Sequence, residues 1–401
     1  MTGGQLVARL DAATAGLPAP LAVVDLDIFD RNAAALVARA PGTPVRLATK
    51  SVRARALVER ALAVPGFAGL MAYSLREALW LVETMPAAAT DVLVAYPCVD
   101  PVALTELCRS PEALARITLV VDDPAHLDRV GAAWRAAGGP DTPVRLCLDV
   151  DASLRVGPRR WAQVHLGVRR SPVHTPEEAA AFAARVAATS GLRLVGLMFY
   201  EAQVAGLPDT SPAVRLVKRL SVRDLDRRRP AVLAAVERHV GTLELVNSGG
   251  TGSIETSAAD PVVTEVAAGS GLYAPGLFDG YRALGVEPSA FFGLDVVRHP
   301  SPRVVTAFGG GYVASGPPSV VRQPRPVGRG LRLTAREGAG EVQTPLEVAR
   351  GVRVPAIGDR VWLRHAKAGE ALERFDQVHL VRGDAVVETV PTYRGEGRNH
   401  G

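Results

Sequence analysis

The stretch PVRLATKSVRARALVERAL, Pro44 to Leu62, decides the fold. Val45–Lys50 is a short apolar run that stops at a lysine. Arg53–Leu62 then carries Ala, Leu and Glu at helical spacing. The same strand-then-helix unit recurs down the chain. Its strands are FAGLMAYS (Phe67–Ser74), DVLVAYP (Asp91–Pro97), ITLVVDD (Ile117–Asp123), VRLCLDVD (Val144–Asp151), LRLVGLMFYE (Leu192–Glu201), LELVNSGG (Leu243–Gly250) and VVTEVAAGS (Val262–Ser270). SLREALWLVETM, PAHLDRVGAAWRAAG and TPEEAAAFAARVAATSG between them read as capped helices. Apolar strands alternating with helices imply a parallel sheet covered on both faces. Counting from the lysine strand gives eight, the number of a (β/α)8 TIM-type barrel, here an α/β domain over residues 20–299. LAVVDLD (Leu21–Asp27) is an extra strand ahead of the eight. An open doubly wound sheet is the alternative, because counting strands does not close a ring.

After about Pro300 the texture changes to short β-rich runs punctuated by glycine, such as PRVVTAFGGGYVAS and GDRVWLRHAKAGE. Residues 300–401, with 1–19, are expected to form an all-β domain. The 401-residue chain is 48% apolar, enough for a large core, and its net charge is 46 − 41 = +5. Basic runs such as Arg227–Arg229 lack interleaved aromatics, so nucleic acid is a weak reading, an anionic substrate or cofactor is at least as good, and a solvated face is the one expected. Cys98, Cys108 and Cys147 form no C-x-x-C pair, which argues against a disulfide framework or a cysteine zinc site. No apolar run has the length of a membrane span, and a reduced cytoplasmic protein is expected.

Barrel chemistry sits at the C-terminal ends of the strands. Those ends carry Lys50, then Asp149, Asp151 and Arg155, then Tyr200 and Glu201. Two Gly/Ser/Thr loops follow the last two strands, NSGGTGS (Asn247–Ser253) and GSGLYAPG (Gly269–Gly276). Phosphates are commonly held in such a place: glycines let backbone N–H groups converge on an anion, and Ser248, Thr251 and Ser270 can add hydroxyls. A strand-end lysine beside a phosphate site suggests pyridoxal 5'-phosphate joined to Lys50 as a Schiff base, with burial lowering the amine's pKa. A phosphosugar or class I aldolase barrel uses the same parts without the cofactor.

At these residues the chain resembles the fold-type III pyridoxal phosphate enzymes. It looks similar to the barrel of alanine racemase and to the whole-chain layout of D-threonine aldolase and D-serine dehydratase. RLATKSVRA resembles their lysine stretch, LDVDASLRVG their D-x-G-x-x-R-x-G strand, and GLMFYEAQVAG the segment with a ring-contacting tyrosine. The resemblance implies a PLP-dependent lyase acting on a D-configured β-hydroxy amino acid, by aldol cleavage or dehydration. An amino acid racemase or a non-catalytic cofactor carrier is the alternative. It makes Lys50, Tyr200 and His365 the catalytic candidates. It makes Lys50, Arg155, Tyr200, Ser248, Gly249, Gly250, Thr251, Gly252, Ser270, Gly271 and Tyr273 the cofactor-binding candidates. It also implies a homodimer with a small-molecule amino acid substrate and no nucleic acid or membrane partner.

The relatives' β domain carries a divalent metal, Zn or Mn, on a His-x-Asp or His-x-Cys pair. Here RHAKAGE offers His365 with Lys367 two residues on, and GEVQTPL keeps Glu341 but has Gln343 for histidine. His365 is thus a lone metal-ligand candidate, with Glu370 as a partner that spacing alone does not establish. Asp149 and Asp151 read as loop braces, Tyr73 and Tyr96 as core aromatics, and Trp161 and Trp362 as packing residues. His165, His174, His299 and His379 have no metal-like spacing.

Overall fold

A computed structural model describes residues 2–157, 164–328 and 330–400. Trp161 lies outside them. The chain divides into two compact units. One comprises Leu36–Lys50 and Ala61–Gly269 with the last two residues; the other comprises Met1–Ala35, Ser51–Arg60 and Ser270–Asn399.

The first unit is a closed barrel of eight parallel strands. In chain order they are β1 (Val45–Ala48), β2 (Phe67–Ala72), β3 (Val92–Val94), β4 (Ile117–Val121), β5 (Val144–Val150), β6 (Leu192–Phe199), β7 (Leu245–Ser248) and β8 (Glu265–Ala268). Each pairs with the next, and β8 closes on β1. They are the eight strands the sequence marks, and the open-sheet alternative fails on this closure. The helices start where local chemistry tells them to. Ser74 accepts from Glu77 N, Asp123 and Thr175 form capping boxes, and prolines occupy the first turn after Asp123 and Thr175. Inside the ring Leu93, Val120, Cys147, Met198 and Leu245 pack as an apolar plug. Arg46 on β1 is 1% exposed and is held by Glu265 on β8 and Asp91 before β3, both at 2.6 Å.

The second unit is built on a nine-stranded sheet. Its Leu21–Asp25 strand runs antiparallel to Ala290–Ser301 and parallel to Gln377–Arg382, so this extra strand belongs to the sheet and not to the ring. Leu10, from the helix Gly3–Ala13, packs in a core with Leu21, Val23, Phe291, Trp362 and Val381. Trp362 is the packing residue expected, and its indole donates to Asp11 at 2.7 Å.

The arginine run departs from expectation. It lies in the 29-residue helix Pro212–Val240, where a solvated face was read. Arg227 is exposed, but Arg229 is 2% exposed and Arg228 is largely covered. Arg228 donates to the carbonyls of Asp151, His174 and Ser153 at 2.6–3.2 Å. The guanidiniums turn inward because each finds several acceptors there.

Candidate active site

Lys50 follows β1 in a single 3₁₀ turn, Thr49–Ser51. Its Nζ is 2.7 Å from Tyr96 Oη, and Tyr96 stands just beyond β3 on the same rim. Burial of Lys50, expected from the apolar run before it, is not found: the side chain is exposed. The turn lifts it out of the strand, and Tyr96 Oη is a hydrogen-bond partner of its amine. The Arg170 guanidinium lies 5.6 Å from the Tyr96 ring centre and 5.1 Å from that of Tyr200, stacking on both π faces. Burial raises the Tyr200 hydroxyl pKa, and Arg170 opposes the rise.

The two strand-end aspartates of β5 differ in their surroundings. Asp151 accepts from Ser153 N at 2.9 Å, Ser153 Oγ at 2.7 Å and Arg155 at 2.6 Å, with His174 at 3.4 Å. Burial disfavours its charge, but bonds from His174, Ser153 and Arg155 outweigh that and hold it well below the usual carboxylate range. It is the loop brace expected. Asp149 is 8% exposed, and its carboxylate has no such partner among the described residues. Burial first, then Asp122, push its pKa up to about 7 against the pull of Arg170.

Arg155, the candidate for facing a cofactor ring, is on the hairpin strand Leu154–Val156 and pairs with Asp151. Arg170 is the arginine brought to the tyrosines. Nothing in the sequence marks it, since it sits in an aperiodic segment after Gly167.

The loop after β7 is organised from beneath by Glu201, which is 1% exposed. Its two oxygens accept from Ser253 Oγ and Ser257 Oγ, both at 2.6 Å, Ser248 Oγ at 3.0 Å and Gly249 N at 3.3 Å. Arg229 joins through Ser248 Oγ at 2.7 Å and Asp260 at 3.0 Å. The Ser248 hydroxyl, offered by the sequence as an anion donor, is thereby directed into this network. Gly249 has φ +90°, which favours glycine. A Cβ on Gly250 would meet Ala205 Cβ at 3.0 Å and Tyr200 Cε2 at 3.3 Å. Gly250 N donates to Ser253 Oγ at 3.1 Å, while among the described residues nothing accepts from Gly252 N. Thr251 is buried in the loop. Sequence reasoning missed the Glu201–Arg229 pair as a support, because its members are 28 residues apart.

The remaining candidates lie in the second unit. Ser270 and Gly271 form a 3₁₀ turn with Leu272, and the Ser270 carbonyl accepts from Ala274 N at 3.0 Å. Tyr273 is 1% exposed, its hydroxyl donates to Val52 O at 2.8 Å, and burial raises its pKa. It meets His365 edge-on, with ring centres 6.1 Å apart. His365 is 4% exposed among Ala22, Ala290, Phe291, Phe292 and Leu372, and among the described residues its Nε2 has no hydrogen bond. Burial, then Arg364, lower its pKa to about 4.

These surroundings do not suit a divalent metal on His365. Its neighbours are apolar, and Lys367 is committed to Ser315 Oγ at 2.6 Å and Glu370 at 2.7 Å. Among the described residues no three His, Cys, Asp or Glu side chains gather as a ligand set. The barrel rim, by contrast, suits an aldehyde-bearing phosphate ester. Lys50 is a reachable amine at the end of β1. Two strands round, the loop after β7 offers the Gly252 N–H, which no described residue accepts from, and a cradle at Gly250 that a Cβ would fill.

Residues 24–275 match the sequence family described as alanine racemase, N-terminal domain. The chain is 27% identical over 398 residues to a D-threonine aldolase from an Arthrobacter species, covering 96% of this chain and 93% of that one. Its fold resembles the crystal structure of D-threonine aldolase from Filomicrobium marinum, with TM-score 0.77, 22% identity, and coverage of 94% and 96%. It also resembles D-threo-3-hydroxyaspartate dehydratase from Delftia sp. HT23, with TM-score 0.72, 21% identity, and coverage of 97% and 99%.

Proposed function

The chain belongs to the alanine racemase N-terminal domain family, and from that premise we propose that it is a pyridoxal phosphate-dependent lyase acting on D-configured β-hydroxy amino acids. One observation carries the reading: the Lys50 amine is placed 2.7 Å from a phenol on the rim that also bears the Gly249–Gly252 loop. The near full-length likeness to a D-threonine aldolase supports aldol cleavage. Dehydration is the second chemistry, supported by the likeness of fold to the dehydratase.

Lys50 would hold the cofactor through its aldehyde carbon, and the Gly252 N–H beside the Gly250 cradle would help hold its phosphate. When bound, pyridoxal phosphate supplies an electron sink for the bond broken at the substrate Cα. The protein's own part is to place groups. Tyr96 Oη orients Lys50 Nζ and can take up or return its proton. Arg170 fixes the Tyr96 and Tyr200 rings as walls of the mouth. Glu201 keeps the loop open by binding its serine hydroxyls from below. No step is assigned to a metal at His365, because its neighbours do not form a ligand set.

We further propose that the barrel is the cofactor domain and the nine-stranded sheet the β domain, and we take the assembly as a cytoplasmic homodimer. The strands Leu21–Asp25 and Ala290–Ser301, inside the 20–299 bounds read from the sequence, pair in that sheet. Among the described residues no helix is long and apolar enough to cross a membrane. Product analysis with D-threonine and D-3-hydroxyaspartate tests the function. Aldehyde plus glycine indicates the aldolase and keto acid plus ammonia the dehydratase. An enantiomer alone indicates a racemase, and no turnover a carrier; either of these contradicts the lyase.

A further inference from the structure

The alternation of β5 places Asp149 on the barrel axis. Cys147 is part of the apolar plug, and residues two apart on a strand share a face. Asp149 therefore points inward, one step nearer the mouth, in register with the plug residue Met198 on β6. On its other side the β4–β5 register runs Val120↔Cys147, Val121↔Leu148. Extended by one residue, it sets Asp122 beside Asp149. The carboxyl thus rests on an apolar floor next to a second carboxyl.

Nothing in the fold explains a charge there. A structural aspartate at a strand end looks like Asp151, with hydroxyl, amide and guanidinium donors. Asp149 is 8% exposed, and its carboxyl has no hydrogen-bond donor among the described residues. Burying an unpartnered carboxylate is costly. The groups that face it are Asp122 just after β4, itself 3.3 Å from His126 Nδ1, Cys147 on its own strand, Asp151 just beyond that strand, and Arg170 at the rim. Burial raises the Asp122 pKa as well, and two adjacent buried carboxyls do not both ionise readily.

We propose that Asp149 is the proton-holding group of the barrel mouth and that it hydrogen-bonds the ligand bound there. The ligand class is an aromatic cofactor with an acceptor nitrogen or oxygen on its ring. This rests on the reading of the mouth as a pyridoxal phosphate site. The carboxyl titrates near neutrality, so it can donate to such an acceptor or, once ionised, receive a ring N–H.

The test is isothermal titration of the protein with pyridoxal 5'-phosphate, in paired buffers of different ionisation enthalpy, from pH 6 to 8. The number of protons exchanged per cofactor in the wild type is expected to differ from that in Asp149→Asn by roughly half a proton at pH 7. Equal proton counts in the two proteins overturn the proposal. Asp122→Asn leaves Asp149 in place and serves if the first variant does not fold. It should move the midpoint of proton exchange to lower pH, and an unmoved midpoint counts against the proposal. A folded wild type that gives no binding heat and no visible band contradicts the cofactor reading itself, and the assignment of Asp149 falls with it.

Discussion

Lys50 Nζ and Tyr96 Oη are 2.7 Å apart, joining the ends of β1 and β3 across the intervening strand. The lysine is exposed, and this contact helps aim its amine. Tyr96→Phe removes the hydroxyl and leaves the ring. We expect kcat to fall about 10- to 100-fold, the span of a lost proton-transfer partner, while borohydride still traps cofactor on Lys50. Unchanged steady-state rates would show that the hydroxyl does nothing for the amine.

Glu201 and Arg229 are each about 2% exposed and share Ser248. Glu201→Ala leaves Arg229 with Asp260 as its remaining carboxylate and removes the acceptor of four donors, three serine hydroxyls and Gly249 N. Breaking a buried pair costs about 3–5 kcal/mol. Chemical denaturation should report a loss of that size, and cofactor affinity should weaken with it. Glu201→Gln should recover part of both, because an amide oxygen still accepts.

Gly250→Ala puts a methyl within 3.0 Å of Ala205 Cβ and 3.3 Å of Tyr200 Cε2. Overpacking of this kind costs about 1–3 kcal/mol. The expected outcome is a weaker apparent affinity for pyridoxal phosphate, read by fluorescence titration, with a smaller effect from Gly252→Ala. Equal, negligible effects would remove Gly250 from the cradle.

Asp149 also leaves a mark on stability. Its folded pKa, about 7, lies above the value of 3.8 for the ordinary side chain. Between those pH values the native state holds a proton that the unfolded chain has lost. The stability it contributes is therefore present at low pH and declines as pH rises toward 7, by at most about 1.4 kcal/mol per pH unit. Urea unfolding at pH 5 and pH 7.5 should show a smaller decline for Asp149→Asn than for wild type. The same decline in both would place the titration elsewhere.

The ring of eight strands is legible because each strand is an unbroken apolar run and each helix begins at a Ser, Thr, Asp or Pro. Lys50 is legible because its run stops there. What escapes the sequence depends on contacts between distant segments. Asp149 and Asp151 are two residues apart in one strand and look alike. Only the packing shows that Ser153, Arg155 and His174 serve the second, while among the described residues no donor serves the carboxyl of the first. Arg170 is missed because its partners, Tyr96 and Tyr200, are rim aromatics from two other strands. Arg228 and Arg229 look solvated in a polar helix and turn inward to acceptors that local pattern does not reveal.

The central claim is that Lys50 carries pyridoxal phosphate. Its most direct test is the visible absorption spectrum of the purified protein supplied with the cofactor, beside Lys50→Ala, before and after sodium borohydride. The account predicts a yellow band that borohydride bleaches in the wild type and that the variant lacks. A wild type that stays colourless, or a variant with the same bleachable band, would contradict it.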